Sequence, residues 1–443
     1  MAYEIILGRD AGEREKFGLI GTILIGKHYV KMGQVTALSQ PVYLDLNRAH
    51  VVFVAGKRGS GKSYALGVIA EGIATLPDLE IRNRLSVVLL DTMGIYWTMK
   101  YPNHKEESMF KDWGLEGAGI PIEIYTPYAF FDDYKEKGIP TDHPFSINPG
   151  ELGPEDWNIA FELSQTDPVA VFIERAVLST IEAHGKRFGI EEILDFIRSD
   201  VKEQPTVRNA AENRFLSAKS WGVFSGNATP VRDLAKPGVV SVIDLSPYVT
   251  LPNGWRIKTL VLGLVSQKLF VERMISRRYE EFTQVQSAVH YLLEEEEQVG
   301  EKMPIVWLCI DEAHEFLPRD EKVGSSAALI TLLREGRQPG IAMVMATQQP
   351  GKIHTDAMTQ SDIILAHRLT AKIDTDALGA LVQSYLRVGI DRELDNLPKL
   401  PGACLAMDDV NERIYPMRIR PRVSWHGGSA PSAVQVKKKI FEF

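Results

Sequence analysis

The stretch "GKRGSGKS", Gly56 to Ser63, constrains this chain more than any other. It has the spacing of a phosphate-binding loop, a glycine and then Gly-Lys-Ser after four intervening residues. An apolar strand pattern, "HVVFVAG", leads into it, and a helical pattern, "SYALGVIAEGIA", leaves it. The residue types follow from the chemistry. Gly56, Gly59 and Gly61 let backbone N–H groups surround phosphate oxygens, with Ser60 and Tyr64 in the same cradle. The helix N-terminus behind them favours negative charge. Lys62 is spaced to reach the β- and γ-phosphates of ATP, and the Ser63 hydroxyl to ligate Mg2+. Lys57 and Arg58 lie inside the loop, where they either add positive charge or face solvent.

A strand–loop–helix unit of this kind needs a sheet around it. Continuous Val/Ile/Leu-rich runs supply one: "LSVVLLD", "GVVSVIDL", "IVWLCID", "IAMVMAT" and "DIILAHRL" alternate with helical patterns. That alternation predicts an α/β fold with a mostly parallel sheet covered on both faces. Residues 1–46 read as a small β-rich N-terminal element, and 47–148 as the first part of the core. Apolar residues at helical spacing in 149–236, as in "IEEILDFIRSDV", predict a helical insertion. Residues 237–420 resume the core, and 421–443 read as a loop-like, basic tail containing Lys437–Lys439.

At 443 residues the chain suits one large domain with insertions or several smaller ones. No apolar run reaches the ~18–20 residues of a membrane span. The charged N-terminus does not read as a secretory signal, so a cytoplasmic location without membrane attachment is expected. The net charge of −8 argues against a surface that coats nucleic acid, though not against a local basic channel. Much of the acidity lies in the run Leu292–Lys302. Cys309 and Cys404 sit in apolar strand-like runs, which points to core packing rather than disulfide or metal chemistry.

A second acidic element should follow an apolar strand. "PIVWLCIDEAHEF" provides Asp311 to hold Mg2+ and Glu312 to polarise the attacking water. His314 and Glu315 read as helix-start residues. The letters "DEAH" also suggest a two-lobed helicase, but the residues after Asp311 cannot hold a second complete nucleotide-binding lobe. In "ATQQP", Gln348 stands where a strand-end residue can feel the γ-phosphate; a plain turn is the alternative. In "LLREGRQPG", Gly336 suits a helix C-cap, and Arg334 complements the helix dipole. Arg337 lies beyond the helix, free to project from the subunit edge.

Taken in order, "GKRGSGKS", "DTMGIYW", "CIDEAHEFLP", "LLREGRQPG" and "ATQQP" resemble the motifs of the HerA–FtsK class of ATPases, the HerA branch more closely. The resemblance implies a RecA-like P-loop core. It implies a homo-hexameric ring that hydrolyses ATP with Mg2+ and translocates double-stranded DNA, working with a NurA-like nuclease or a phage-defence effector. It makes Arg337 an arginine finger toward the neighbouring subunit's ATP and Gln348 a sensor. Many relatives have an arginine where this chain has Gln349, and often an acid where it has Ile95; Asp91 is retained without an assigned role. About 45 N-terminal residues would make only a partial version of the family's β-barrel. Two other readings are an ATP-gated assembly scaffold for a nuclease or effector and, more distantly, a protein-secretion motor. For DNA contacts, Arg319 and Lys322 are candidates, with a solvated loop as the alternative.

Overall fold

The computed structural model describes residues 4–32, 35–289, 302–380 and 390–428. The acidic run at 292–301 and the Lys437–Lys439 cluster lie outside them. The described strands are β1 (Ile5–Leu7), β2 (Thr22–Met32), β3 (Val35–Asp45), β4 (Val51–Ala55), β5 (Leu85–Asp91), β6 (Ile122–Pro127), β7 (His143–Phe145), β8 (Val240–Asp244), β9 (Ile305–Ile310), β10 (Ile341–Thr347), β11 (Ile363–His367), β12 (Ala403–Asp408) and β13 (Arg413–Ile419). They form one sheet in the order β1-β3-β2-β13-β12-β11-β4-β10-β9-β5-β8-β6-β7.

From β11 to β7 all neighbours are parallel, which requires crossovers that lay helices on the sheet faces. Alternation along each strand then feeds two apolar layers. Val52 and Val54 of β4 pack with Ala65, Leu66 and Ile69 of the helix Lys62–Ala74. Phe53 and Ala55 face the opposite layer with Ile257 and Leu260 of the long helix Gly254–Val289, and with Leu329 and Leu332 of the helix Ser326–Glu335. Cys309 and Cys404 are free, buried in the first layer, and their thiol pKa values are raised by burial. They are packing residues, as expected.

The stretch from 149 to 236 is helical, with Pro154–Ala160, Pro168–His184, Ile190–Ser199, Pro205–Ser220 and Val231–Leu234. Ile190, Ile193, Leu194 and Ile197 bury one face of their helix. The Trp157 ring stands 4.9 Å from Phe215 and 5.1 Å from Phe224, and this aromatic knot is continuous with the second layer of the sheet.

The N-terminal hairpin β2–β3 extends the core sheet. Gly26, Lys27 and His28 pair with Ile419, Arg418 and Met417 of β13. A Cβ at Gly26 would come within 2.3 Å of the Arg418 carbonyl oxygen, so only glycine allows this pairing. Residues 421–428, read from the sequence as the start of the loop-like, basic tail, form a strap that buries Arg422 and Ser424 against the helix Lys62–Ala74. Fully buried Glu71 of that helix accepts from Ser424 Oγ at 2.7 Å, from the Val423 N–H at 3.1 Å, and from Arg420. Among the described residues no helix is long and apolar enough to cross a membrane.

Candidate nucleotide-binding and catalytic site

The parallel register brings the C-terminal ends of β4, β10, β9 and β5 to one edge: Ala55 pairs with Thr347, Met345 with Ile310, and Ile310 with Leu90. Gly56, Gln348 and Asp311, which follow their strands, and Asp91, which ends β5, therefore meet there. The loop is stitched to its neighbours, with the Gly56 N–H donating to Thr347 O at 3.2 Å and the Lys57 N–H to Arg368 O at 3.0 Å. Gly61 opens the helix at a φ of 109°, a conformation that L side chains resist. Lys57 and Arg58 are exposed on the rim.

Lys62 is 5% exposed, and its Nζ donates to Lys57 O at 3.2 Å. Burial lowers its pKa, while the nearby Glu312 and Asp311 carboxylates oppose that. Asp311 directly follows β9, at the strand end where the sequence expects it, and its Oδ1 accepts the Glu312 N–H at 2.9 Å. Glu312 adopts a left-handed backbone (φ 50°, ψ 44°), an uncommon state that concentrates at functional sites. Its Oε1 accepts from Gln348 Nε2, which brings together two residues that the sequence proposed separately. Burial raises the Glu312 carboxyl pKa. His314 turns back from its short helical turn toward β10, with Nδ1 3.2 Å from Thr347 Oγ1 and Nε2 3.3 Å from Gln349 Nε2. Burial lowers the His314 pKa, favouring the neutral ring.

Among the described residues, three polar atoms around the loop are buried without a hydrogen bond: Ser60 Oγ, Glu312 Oε2, which lies 3.6 Å from His314 Nδ1, and His367 Nε2. Such orphans are costly unless a ligand or water meets them. Among the described residues no group of three or more His, Cys, Asp or Glu side chains is arranged for a metal. The oxygen donors here, Ser63 and Asp311, suit Mg2+, which usually completes its shell with phosphates and water.

Beside the loop lies a cleft of about 470 Å3, lined by Lys62, Ser63, Tyr64, Glu106, Trp113, Gly402, Arg418 and His426 among others. The sequence reading found only its loop side. The remaining walls come from a segment after β5 and from the β12–β13 region with the strap, too distant along the chain to give a local signature. Tyr64 ties these walls together, donating to Glu106 and accepting the Arg422 N–H at 2.6 Å.

The two arginines separate. Arg334 Nε donates to Asp356 Oδ2 at 2.7 Å and forms an ion pair on the helix surface. Gly336 caps the helix in a right-handed conformation, and the left-handed glycine comes later, at Gly340 (φ 89°). Between them Arg337 is exposed. Its turn is held from beneath by Arg273, whose Nε donates to Pro339 O at 2.8 Å. Arg337 stands at the start of β10 and Gln348 just past its end, so about seven residues of strand at ~3.3 Å each separate Arg337 from its own phosphate loop. Arg319 and Lys322 are exposed, on the segment between β9 and the helix Ser326–Glu335.

A parallel sheet with a glycine loop at one strand end, an acid pair at another and a strand-end glutamine between them defines a P-loop ATPase with a RecA-like core. The family model for the central domain of the helicase HerA matches residues 30–254, more than half of the chain. The chain belongs to this family, within the HerA–FtsK-like P-loop ATPases. It is 28% identical over 148 residues to the DNA double-strand break repair helicase HerA of Pyrococcus furiosus, covering 32% of this chain and 26% of that protein. It is 27% identical over 129 residues to the probable counterpart in Methanocaldococcus jannaschii, covering 28% of this chain and 25% of that protein. The matched segment thus spans about a quarter of the length of these relatives. In fold it is similar to VirB4 of Thermoanaerobacter pseudethanolicus, with a TM-score of 0.55 at 13% identity over 90% of this chain and 96% of the other. Asp311, Glu312, Gln348 and Arg337 lie beyond the family-matched span, so the grouping of the first three and the separation of Arg337 rest on the geometry alone.

Proposed function

We propose that this chain hydrolyses ATP as one subunit of a homo-hexameric ring that moves along double-stranded DNA, in company with a nuclease or defence effector. In this reading Gly56, Gly59, Ser60, Gly61, Lys62 and Ser63 cradle the phosphates, and Tyr64 and Trp113 flank the nucleoside in the adjoining cleft. Ser63 and Asp311 hold Mg2+, which when bound neutralises phosphate oxygens. Glu312 takes the proton of the attacking water, and the Gln348 amide orients that carboxylate. The Lys62 ammonium leaves its resting bond to Lys57 O for the β- and γ-phosphates. Arg337 serves the ATP of a neighbour.

The observation that carries the ring is the position of Arg337. It is exposed and lies at the end of β10 opposite Gln348, so an intact active site needs a second copy. DNA as the track is supported by the two curated relatives, one a DNA double-strand break repair helicase and the other a probable one. The test is ATP turnover with and without linear duplex DNA. Duplex should stimulate hydrolysis, and Lys62→Ala should abolish it. Turnover that no DNA alters, in an assembled ring, would overturn the DNA-motor reading.

A further inference from the structure

The segment that follows β5 reaches the metal-holding residues through a single side chain. Tyr96 is 1% exposed. Its hydroxyl lies 3.0 Å from Asp311 Oδ2 and 3.3 Å from the Ser63 carbonyl oxygen. A phenol has one proton to donate. The shorter, charge-assisted contact to the carboxylate takes precedence, and the Ser63 carbonyl remains within reach. Tyr96 thus ties the segment after β5 to Asp311, the acid that follows β9, beside the first turn of the helix that begins at the phosphate loop.

What fixes Tyr96 is Asp91. Its Oδ1 accepts the N–H groups of Met93 at 3.2 Å and Gly94 at 2.8 Å, and its Oδ2 accepts that of Tyr96 at 2.8 Å. Both carboxylate oxygens are engaged in shaping one tight turn, so Asp91 works on the backbone and does not face the nucleotide. Gly94 takes the positive φ of 67° that the turn requires, and a Cβ there would meet Ser246 Oγ at 2.8 Å. The far side of the turn is packed as well. Thr98 Oγ1 lies 2.7 Å from Ile95 O within the turn and 3.0 Å from Trp425 O of the strap.

We propose that Tyr96 is a positioning residue for the metal site: its hydroxyl donates to Asp311 Oδ2 and fixes that carboxylate, and the Asp91 turn holds Tyr96. This rests on the reading above that Ser63 and Asp311 hold Mg2+. Outer partners of metal ligands typically change metal affinity about 10–100-fold when removed.

The test uses the full chain and a fluorescent ADP whose binding is titrated in EDTA and across a Mg2+ series. Tyr96→Phe removes one oxygen atom. It should leave the EDTA affinity close to wild type and raise the Mg2+ midpoint about tenfold. Mn2+ paramagnetic resonance with ADP should report the same loss directly, without turnover. Asp91→Asn should raise the midpoint in the wild-type background and add little in the Tyr96→Phe background, because both act through one turn. An unchanged midpoint in Tyr96→Phe, with Asp311→Asn shifting it, overturns the role of Tyr96 alone. An unchanged midpoint in Asp311→Asn as well overturns the metal assignment and this proposal with it. Fully additive effects of Asp91→Asn and Tyr96→Phe overturn the part given to the turn.

Discussion

Glu312 carries the tightest constraint on a single residue. It follows Asp311 without a spacer, and the left-handed backbone turns its carboxylate toward Gln348. A glutamate in that conformation is strained relative to glycine or asparagine, and the Gln348 amide donates to one of its carboxylate oxygens. The other oxygen, Oε2, is buried, makes no hydrogen bond and lies 3.6 Å from His314 Nδ1. General-base assistance contributes about 10²–10⁴-fold, so Glu312→Gln should retain nucleotide binding and lose turnover by a factor in that range. Gln348→Ala leaves the carboxylate in place and removes what aims it. Its kcat should fall by about 10²-fold, the typical result of misplacing a reacting group by an ångström, with the KM for ATP little changed. Steady-state kinetics separate the two. A Gln348→Ala enzyme with wild-type kcat would mean the amide is only a strand-end contact.

At the scale of elements, the strands and the loop between β4 and its helix were legible because their signals are local. The phosphate loop, the acid pair after β9 and the glutamine after β10 each follow an apolar run, and the parallel sheet gathers them automatically. What could not be read was pairing across long distances. Glu71 sits in an apolar helix pattern with no hint that Arg420, Val423 and Ser424 would close around it. Nothing near "HVVFVAG" announces that His50 would lie between two carboxylates. Its Nδ1 is 2.7 Å from Asp362 and its Nε2 2.9 Å from Asp45, which Arg9 also holds at 2.8 Å. This buried chain of charges ties β3 of the N-terminal hairpin to the starts of β4 and β11. Burial alone would lower the His50 pKa, but the bonds to Asp362 and Asp45 prevail and raise it from 6.5 to about 9. A raised folded-state value means the stabilisation is complete below pH 6.5 and is lost as pH rises through about 9. Urea midpoints should therefore fall over that window in the wild type. His50→Gln should be less stable at pH 6 and lack that component of the slope. Parallel pH profiles of the two proteins would show that the ring carries no charge.

For the whole molecule, the question is whether one chain is a complete enzyme. The residues proposed to touch the phosphates lie together at one sheet edge, yet the exposed cation of the "REGRQPG" turn is at the other end of β10. The two roles open to Arg337 differ in size. A cation near a helix end contributes ~0.3–1 kcal/mol. An arginine finger contributes about 10³–10⁵-fold in turnover, or about 4–7 kcal/mol of barrier. Arg334 already accounts for the helix-end role through its ion pair with Asp356, and Arg273 supports the turn from inside, so Arg337 is left without a structural task of that magnitude. Arg337→Ala should bind ATP and assemble, and lose hydrolysis. Lys62→Ala should also be inactive, for lack of a working loop. In rings formed from both variants, an intact loop from an Arg337→Ala subunit can meet an intact arginine from a Lys62→Ala subunit, and part of the turnover should return. Native mass spectrometry confirms co-assembly, and an ATPase assay reads the recovery. Co-assembled rings that stay inactive, or full activity of Arg337→Ala by itself, would mean that each chain completes its own site.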